Sequence, residues 1–86
     1  MPTYEIELSR SALKSLKKLD RKAAVRIFAA VEKLAKNPRP HGVKKLEGYT
    51  LWRLRVGDYR VVYDIDDGKV VILVVKVSHR KDVYRK

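Results

Sequence analysis

The stretch TLWRLRVGDYRVVYDIDDGKVVILVVKV, residues 50 to 77, decides the fold. Apolar and polar residues alternate from Trp52 to Val56 and again from Tyr59 to Ile65, the period of strands with one buried face. Gly57-Asp58 and Asp67-Gly68 interrupt the runs with residues that tight hairpin turns require. A three-stranded antiparallel meander follows. Its last strand, Val70 to Val77, is apolar on both faces apart from Lys76, so it belongs inside the sheet with a further strand on its free side.

Upstream, Tyr4, Ile6 and Leu8 alternate with Glu5 and Glu7 and supply that further strand. Ser9 then stands as an N-cap, and Ala12, Leu13, Leu16 and Leu19 recur at helical spacing with Lys14, Lys17 and Lys18 turned outward. Asp20 caps a second helix whose stripe is Ala24, Ile27, Phe28, Val31, Leu34 and Ala35, stopped by Asn37-Pro38-Arg39-Pro40. The short joint makes the two helices a hairpin. Val43 to Leu46 reads as a short strand before the meander. The expected class is α+β, an N-terminal strand, an α-helical hairpin and an antiparallel meander, in one domain over residues 1–86.

The two turns fix which side chains share a face. A two-residue turn at Gly57-Asp58 sets Val56 opposite Tyr59, Arg55 opposite Arg60 and Arg53 opposite Val62. All three arginines then share one face, while Trp52, Leu54, Val56, Tyr59, Val61, Tyr63 and Ile65 take the face the helices cover. A two-residue turn at Asp67-Gly68 sets Lys69 opposite Asp66 and Val75 beside Arg60, and parity then puts His79 on the arginine face. Like charges opposite one another in a ladder are destabilising, so arginines built onto rigid strands point to an anionic ligand more than scattered lysines do.

The 86 residues carry 21 Lys and Arg against 10 Asp and Glu, a net charge of +11, while 45% are hydrophobic. That excludes a disordered basic tail and makes a polyanion, above all nucleic acid, the natural partner. Cysteine is absent, which removes disulfides, thiolate metal sites and a thiol nucleophile. Asp64, Asp66 and Asp67 cluster at a hairpin whose Asp-Gly is explained by turn chemistry, so no metal or other cofactor is expected. No apolar run long enough for a membrane span is present and no signal segment is evident, which makes a cytoplasmic protein with no membrane partner the expectation.

Arginines, a histidine and a tyrosine without a close carboxylate suit phosphate binding beside a stacked base. RNA cleavage without a metal needs deprotonation of the 2′-hydroxyl, stabilisation of the charged phosphorane and protonation of the leaving 5′-oxygen. Arginine supplies the second but cannot be a base. Proton transfer falls to His79, Tyr84, a nearby lysine or a group from a partner.

The order of elements and the segment KLEGYTLWRLRVGDYRVVYDIDDGKVVILVVKVSHRKDVYR, residues 45 to 85, resemble the RelE branch of the RelE/ParE toxin superfamily over nearly the whole chain. The resemblance implies a microbial ribonuclease-type architecture and a toxin of a type II toxin-antitoxin system. It implies a ribosome-dependent, metal-independent endoribonuclease, an mRNA interferase that cuts in the ribosomal A site by 2′-hydroxyl attack and inhibits translation. On matching positions, Arg60 is the central phosphate-binding arginine, Arg80 the C-terminal catalytic arginine and Tyr84 the residue that orients the base. Arg53 and Arg55 lie on the basic strand, with Lys44, Lys45 and Lys81 as further phosphate contacts. Where the family carries lysines on that strand this chain has Leu51 and Arg53, which leaves Lys44, Lys45 and His79 as candidates for activating the hydroxyl. The implied partners are a RelB-like acidic or amphipathic helical antitoxin, the ribosome with its mRNA, and promoter DNA reached through the antitoxin. A ParE-like toxin that poisons gyrase and a non-catalytic basic RNA-binding module are the competing readings.

Overall fold

The computed structural model describes residues 3–46 and 50–79. Strand β1 (Glu5–Leu8) leads into α1 (Arg10–Lys18) and α2 (Arg21–Lys36), followed by β2 (Lys44–Lys45), β3 (Leu51–Val56), β4 (Tyr59–Asp66) and β5 (Val71–His79). The five strands form one sheet in the order β1-β5-β4-β3-β2. Strands β2 to β5 pair antiparallel, and β1 runs parallel to β5 on the side the meander leaves open. Strand β5 therefore has neighbours on both edges, as its two-sided apolar sequence requires.

Local chemistry sets the helix ends. The Ser9 hydroxyl accepts from the Ala12 N–H at 3.0 Å, and the Asp20 carboxylate accepts from the Ala23 N–H at 2.8 Å, each satisfying a donor that the first helical turn leaves orphaned. At the far end α2 gives way to Asn37 and the two prolines, and the buried Tyr63 hydroxyl donates to the Pro38 carbonyl at 2.7 Å. Burial pushes the Tyr63 phenol up to about 12, so it stays protonated as a donor.

Both helices cover one face of the sheet, α1 chiefly against β5 and α2 against β1 and β3. Between them lie Ala12, Leu16, Ile27, Val31 and Leu34 from the helices and Val61, Tyr63, Ile72, Val74 and Val77 from β4 and β5. Trp52, Leu54, Val56, Tyr59 and Ile65 pack around this core, all on the expected face. The helical stripes are narrower than their periodicity suggests. Leu13 and Phe28 are each 42% exposed and Val25 is 58% exposed, because two short helices on one small sheet bury only their innermost positions.

The β3–β4 register is the expected one, with Val56 opposite Tyr59, Arg55 opposite Arg60 and Arg53 opposite Val62. The β4–β5 register is not. Asp66 pairs with Val71 rather than Lys69, because the connection is four residues long, and a β-bulge shifts the ladder between Val62 and Tyr63. A turn longer by two residues leaves every side chain on its face, but one bulged residue moves all that follow it to the other. Beyond the bulge Val61 opposes Val77, Arg60 opposes Ser78 and Tyr59 opposes His79.

Candidate nucleic-acid interface

The face of the sheet turned away from the helices is built in rows. One row runs Arg55, Arg60, Ser78 across β3, β4 and β5, and the next runs Lys44, Arg53, Val62, Lys76 from β2 to β5. Lys44, Arg53 and Arg55 line a depression of about 250 Å³ beside Gly42, with no carboxylate among the described residues of its wall. Arg55 is exposed, whereas Arg53 and Arg60 are half-buried. The Nε of Arg60 is buried with no hydrogen-bond partner among the described residues. An unpaired buried guanidinium nitrogen is costly, and an anionic oxygen laid on this face would satisfy it.

The same face changes sign towards the other end of the strands. Glu7, Asp64 and Asp66 surround Lys69 near Val71 and Leu73. Cations and carboxylates are thus segregated, and the arginine rows keep a positive field that neighbouring carboxylates would otherwise cancel. Among the described residues the one ion pair, Arg39 to Asp67 at 2.9 Å, lies outside these rows.

Of the sequence candidates, Arg53, Arg55, Arg60 and Lys44 come together here. Lys45 pairs with Trp52 and so belongs to the opposite face, its Nζ 6.0 Å from the indole centroid. The expected placement of His79 is corrected: it opposes Tyr59, not the arginines, and its ring meets the Tyr59 ring edge-on at 5.0 Å. The bulge is the physical cause. Arg80, Lys81 and Tyr84 lie outside the described residues. Two residues that sequence reasoning left out, Lys76 and Ser78, occupy the face on which His79 was expected.

The bulge has a visible anchor. Ser9, the cap of α1, donates its hydroxyl to the Val75 carbonyl at 2.6 Å, and its N–H reaches the Val74 carbonyl at 2.9 Å. The bulged residue thereby finds for its carbonyl a partner that the ladder does not supply. Beyond it Val77 is buried and Lys76 is exposed, the arrangement their chemistry demands. The signal in the sequence was Lys76 itself: without a bulge an ammonium group would enter the core side.

Residues 6–84 match the family model described as the ParE toxin of type II toxin-antitoxin system, parDE. Toxin RelE of Mycobacterium tuberculosis is 35% identical over 95% of this chain and 87% of its own length. Among solved structures, the archaeal RelE–RelB complex from Pyrococcus horikoshii superposes with a TM-score of 0.81 at 32% identity, covering 91% of this chain and 96% of the matched one. The intact Escherichia coli RelBE toxin-antitoxin complex gives 0.77 at 29% identity, with 88% and 95% covered. With the fold, the basic strand pair and these likenesses in agreement, the chain belongs to the RelE/ParE superfamily and is a RelE-like toxin of the type II toxin-antitoxin class.

Proposed function

We propose that this toxin is an endoribonuclease that cuts mRNA in the ribosomal A site by attack of a ribose 2′-hydroxyl on the adjacent phosphate, without a metal, and so stops translation. The observation that carries the reading is Arg60, whose buried Nε has no hydrogen-bond partner among the described residues, held opposite Arg55 on a rigid strand pair. Two guanidinium groups on one row are suited to a phosphate whose charge rises as the phosphorane forms, and donors already in place need no reorganisation. Arg53 and Lys44 extend the cationic surface along the strand for neighbouring phosphates. On the matching positions named above, Arg80 would share the scissile phosphate and Tyr84 would stack on the base.

A cognate antitoxin is the expected regulator, and the apolar strip of Val25, Phe28 and Ala29 on α2, edged by Glu32, Lys33 and Lys36 with a net positive charge, suits an amphipathic segment with an acidic flank. The strip lies on the helices, on the opposite side of the sheet from the arginine rows. A second reading, a toxin that poisons gyrase by protein contact, is favoured by the ParE description of the matching family model.

The test adds the purified protein to mRNA-programmed ribosomes and to the same mRNA alone, and maps new 5′ ends at nucleotide resolution. Cuts in the A-site codon that require ribosomes, with the mRNA alone left intact both with and without EDTA, support the nuclease. Intact mRNA in both, with supercoiling by gyrase inhibited, supports the second reading.

A further inference from the structure

We propose that Lys76 is the residue that takes the proton from the attacking 2′-hydroxyl, an inference that rests on the nuclease reading above. The β-bulge places this lysine on the arginine face, opposite Val62 and two pairs along from Arg60–Ser78, which makes it the next pair on that face. Diagonal neighbours across a strand pair stand about 7 to 8 Å apart at the backbone, within the span that two long side chains close around a single phosphodiester. Arg53 lies across β4 in the same row, so Lys76 faces a phosphate held on Arg60 from one side and Arg53 from the other.

Elimination among the described residues leads to the same group. A guanidinium is no general base, which sets aside Arg53, Arg55 and Arg60. His79 is turned to the Tyr59 side of the sheet. The Ser78 hydroxyl is no base unless another group activates it. Lys44 is an amine, but it stands on β2, two strands from Arg60. Lys76 is on the strand next to Arg60, and no carboxylate of a described residue lies within ion-pair distance of it.

A bulge beside a site commonly serves to re-aim one side chain, and here Ser9 holds it through the Val75 carbonyl. Lys76 is the residue re-aimed. The step is balanced as follows. The neutral amine of Lys76 accepts the 2′-hydroxyl proton as the O2′–P bond forms. The P–O5′ bond breaks, the 5′-oxygen takes a proton from water, and the ammonium returns its proton to solvent. The products are a 2′,3′-cyclic phosphate and a 5′-hydroxyl end.

The experiment compares wild type, Lys76→Arg and Lys76→Ala in single-turnover cleavage of mRNA on programmed ribosomes, with binding to the same ribosomes measured separately. Lys76→Arg keeps the charge and removes the base, so the cleavage rate should fall about 100-fold or more while binding changes little. Lys76→Ala should lose as much, and added ethylamine should restore part of the rate to it and none to Lys76→Arg. Lys76→Arg cleaving within about twofold of wild type would show that charge alone matters and would overturn the assignment. Proportional loss of binding and cleavage would overturn it too. A wild type that leaves mRNA intact on the ribosome would instead remove the nuclease reading, and the assignment with it.

Discussion

The two hairpins of the meander share strand β4, yet they are built by different rules. The first turns on Gly57-Asp58, with a positive φ of 58° at Gly57 and none at Asp58, the pattern of a type II′ turn, and its ladder is regular from Leu51–Asp64 to Val56–Tyr59. The second turns on four residues with Val70 at a φ of 59°, and its ladder breaks at a bulge. A regular hairpin can only repeat the alternation written in its sequence. The irregular one combines two demands that alternation cannot meet together, since Ile72 and Val74 must face the helices and so must Val77. The bulge reconciles them, and it puts Lys76 and Ser78 beside the arginines.

Arg60 belongs to both hairpins, through Arg55 on one side and Ser78 on the other, and its removal has the largest expected effect. Arg60→Ala should lower the single-turnover cleavage rate by about 100- to 1,000-fold, the usual cost of losing one preorganised donor to a developing oxyanion. Affinity for programmed ribosomes should fall far less. Equal losses in rate and affinity would make Arg60 a general electrostatic contact and remove the distinction between the row it shares with Arg55 and the wider cationic surface. Because Arg55 and Arg60 repel across the ladder, the variant should also fold at least as well, apart from lost packing by the half-buried stem.

Next in size is the support of the bulge. Ser9→Ala removes the cap on the Ala12 N–H and the hydroxyl bond to Val75 in one change. About 2 kcal/mol of stability should be lost, read as a shift in urea midpoint at constant slope. The comparison of hairpins adds a local expectation: amide exchange should quicken in β5 around Val75 and stay unchanged in the Gly57 turn. Uniform quickening would mean that Ser9 acts only as a helix cap.

The two hairpins also mark how far the sequence could be read. The β3–β4 pairing, the face of every side chain on it and the cluster of three arginines followed from one glycine and strict alternation. Strand β1 beside β5 followed from the apolar character of both β5 faces, and the helix starts from Ser9 and Asp20. Lys76 between the core residues Val74 and Val77 signals a break in alternation, but the place of that break at Val75 does not follow from β5 alone, because the bulge is anchored by a hydrogen bond from Ser9 to a carbonyl 66 residues away. The misplacement of His79 and the omission of Lys76 are the same error, since one shift of parity exchanges them. Leu13 and Phe28 were assigned to the core because helical periodicity reports which stripe is apolar, not how wide a stripe the sheet can cover.

Positive φ sharpens the contrast at smaller scale. At Gly57 a Cβ would stand 3.3 Å from the Arg26 guanidinium, so Gly57→Ala meets both the left-handed backbone penalty and a tight contact with a flexible side chain. It should destabilise the protein by about 1 to 2 kcal/mol. Val70 already bears the left-handed penalty as a β-branched residue, so Val70→Gly should relieve it and leave stability unchanged or raised by up to about 1 kcal/mol, after the entropy cost of glycine. Paired denaturation curves give both values. Similar destabilisation by both changes would mean that the Val70 side chain, half-buried at the end of the second hairpin, contributes more than its backbone costs.

The smallest effect is electrostatic and lies at the second turn. The Asp67 carboxylate accepts from Arg39 at 2.9 Å and from the Tyr4 hydroxyl at 2.6 Å, which ties the turn to the residue just before β1 and to the loop after α2. The Arg39 hydrogen bond first, and then that of Tyr4, hold its carboxyl below the usual aspartate range, while the same bond to Asp67 raises the Tyr4 phenol. A carboxyl depressed by folding adds stability that is present above the unfolded aspartate value, about 3.9, and lost as pH falls through the folded one. Asp67→Asn should therefore flatten the acid limb of the stability curve and leave the Gly57 hairpin unaffected. Both side chains are well exposed, so the change should be small and should shrink in high salt. An unaltered acid limb in low salt would show that Asp67 acts through turn geometry alone. In that case the second hairpin would be held by Ser9 at its bulge and by backbone pairing with β1, with no electrostatic latch at its tip.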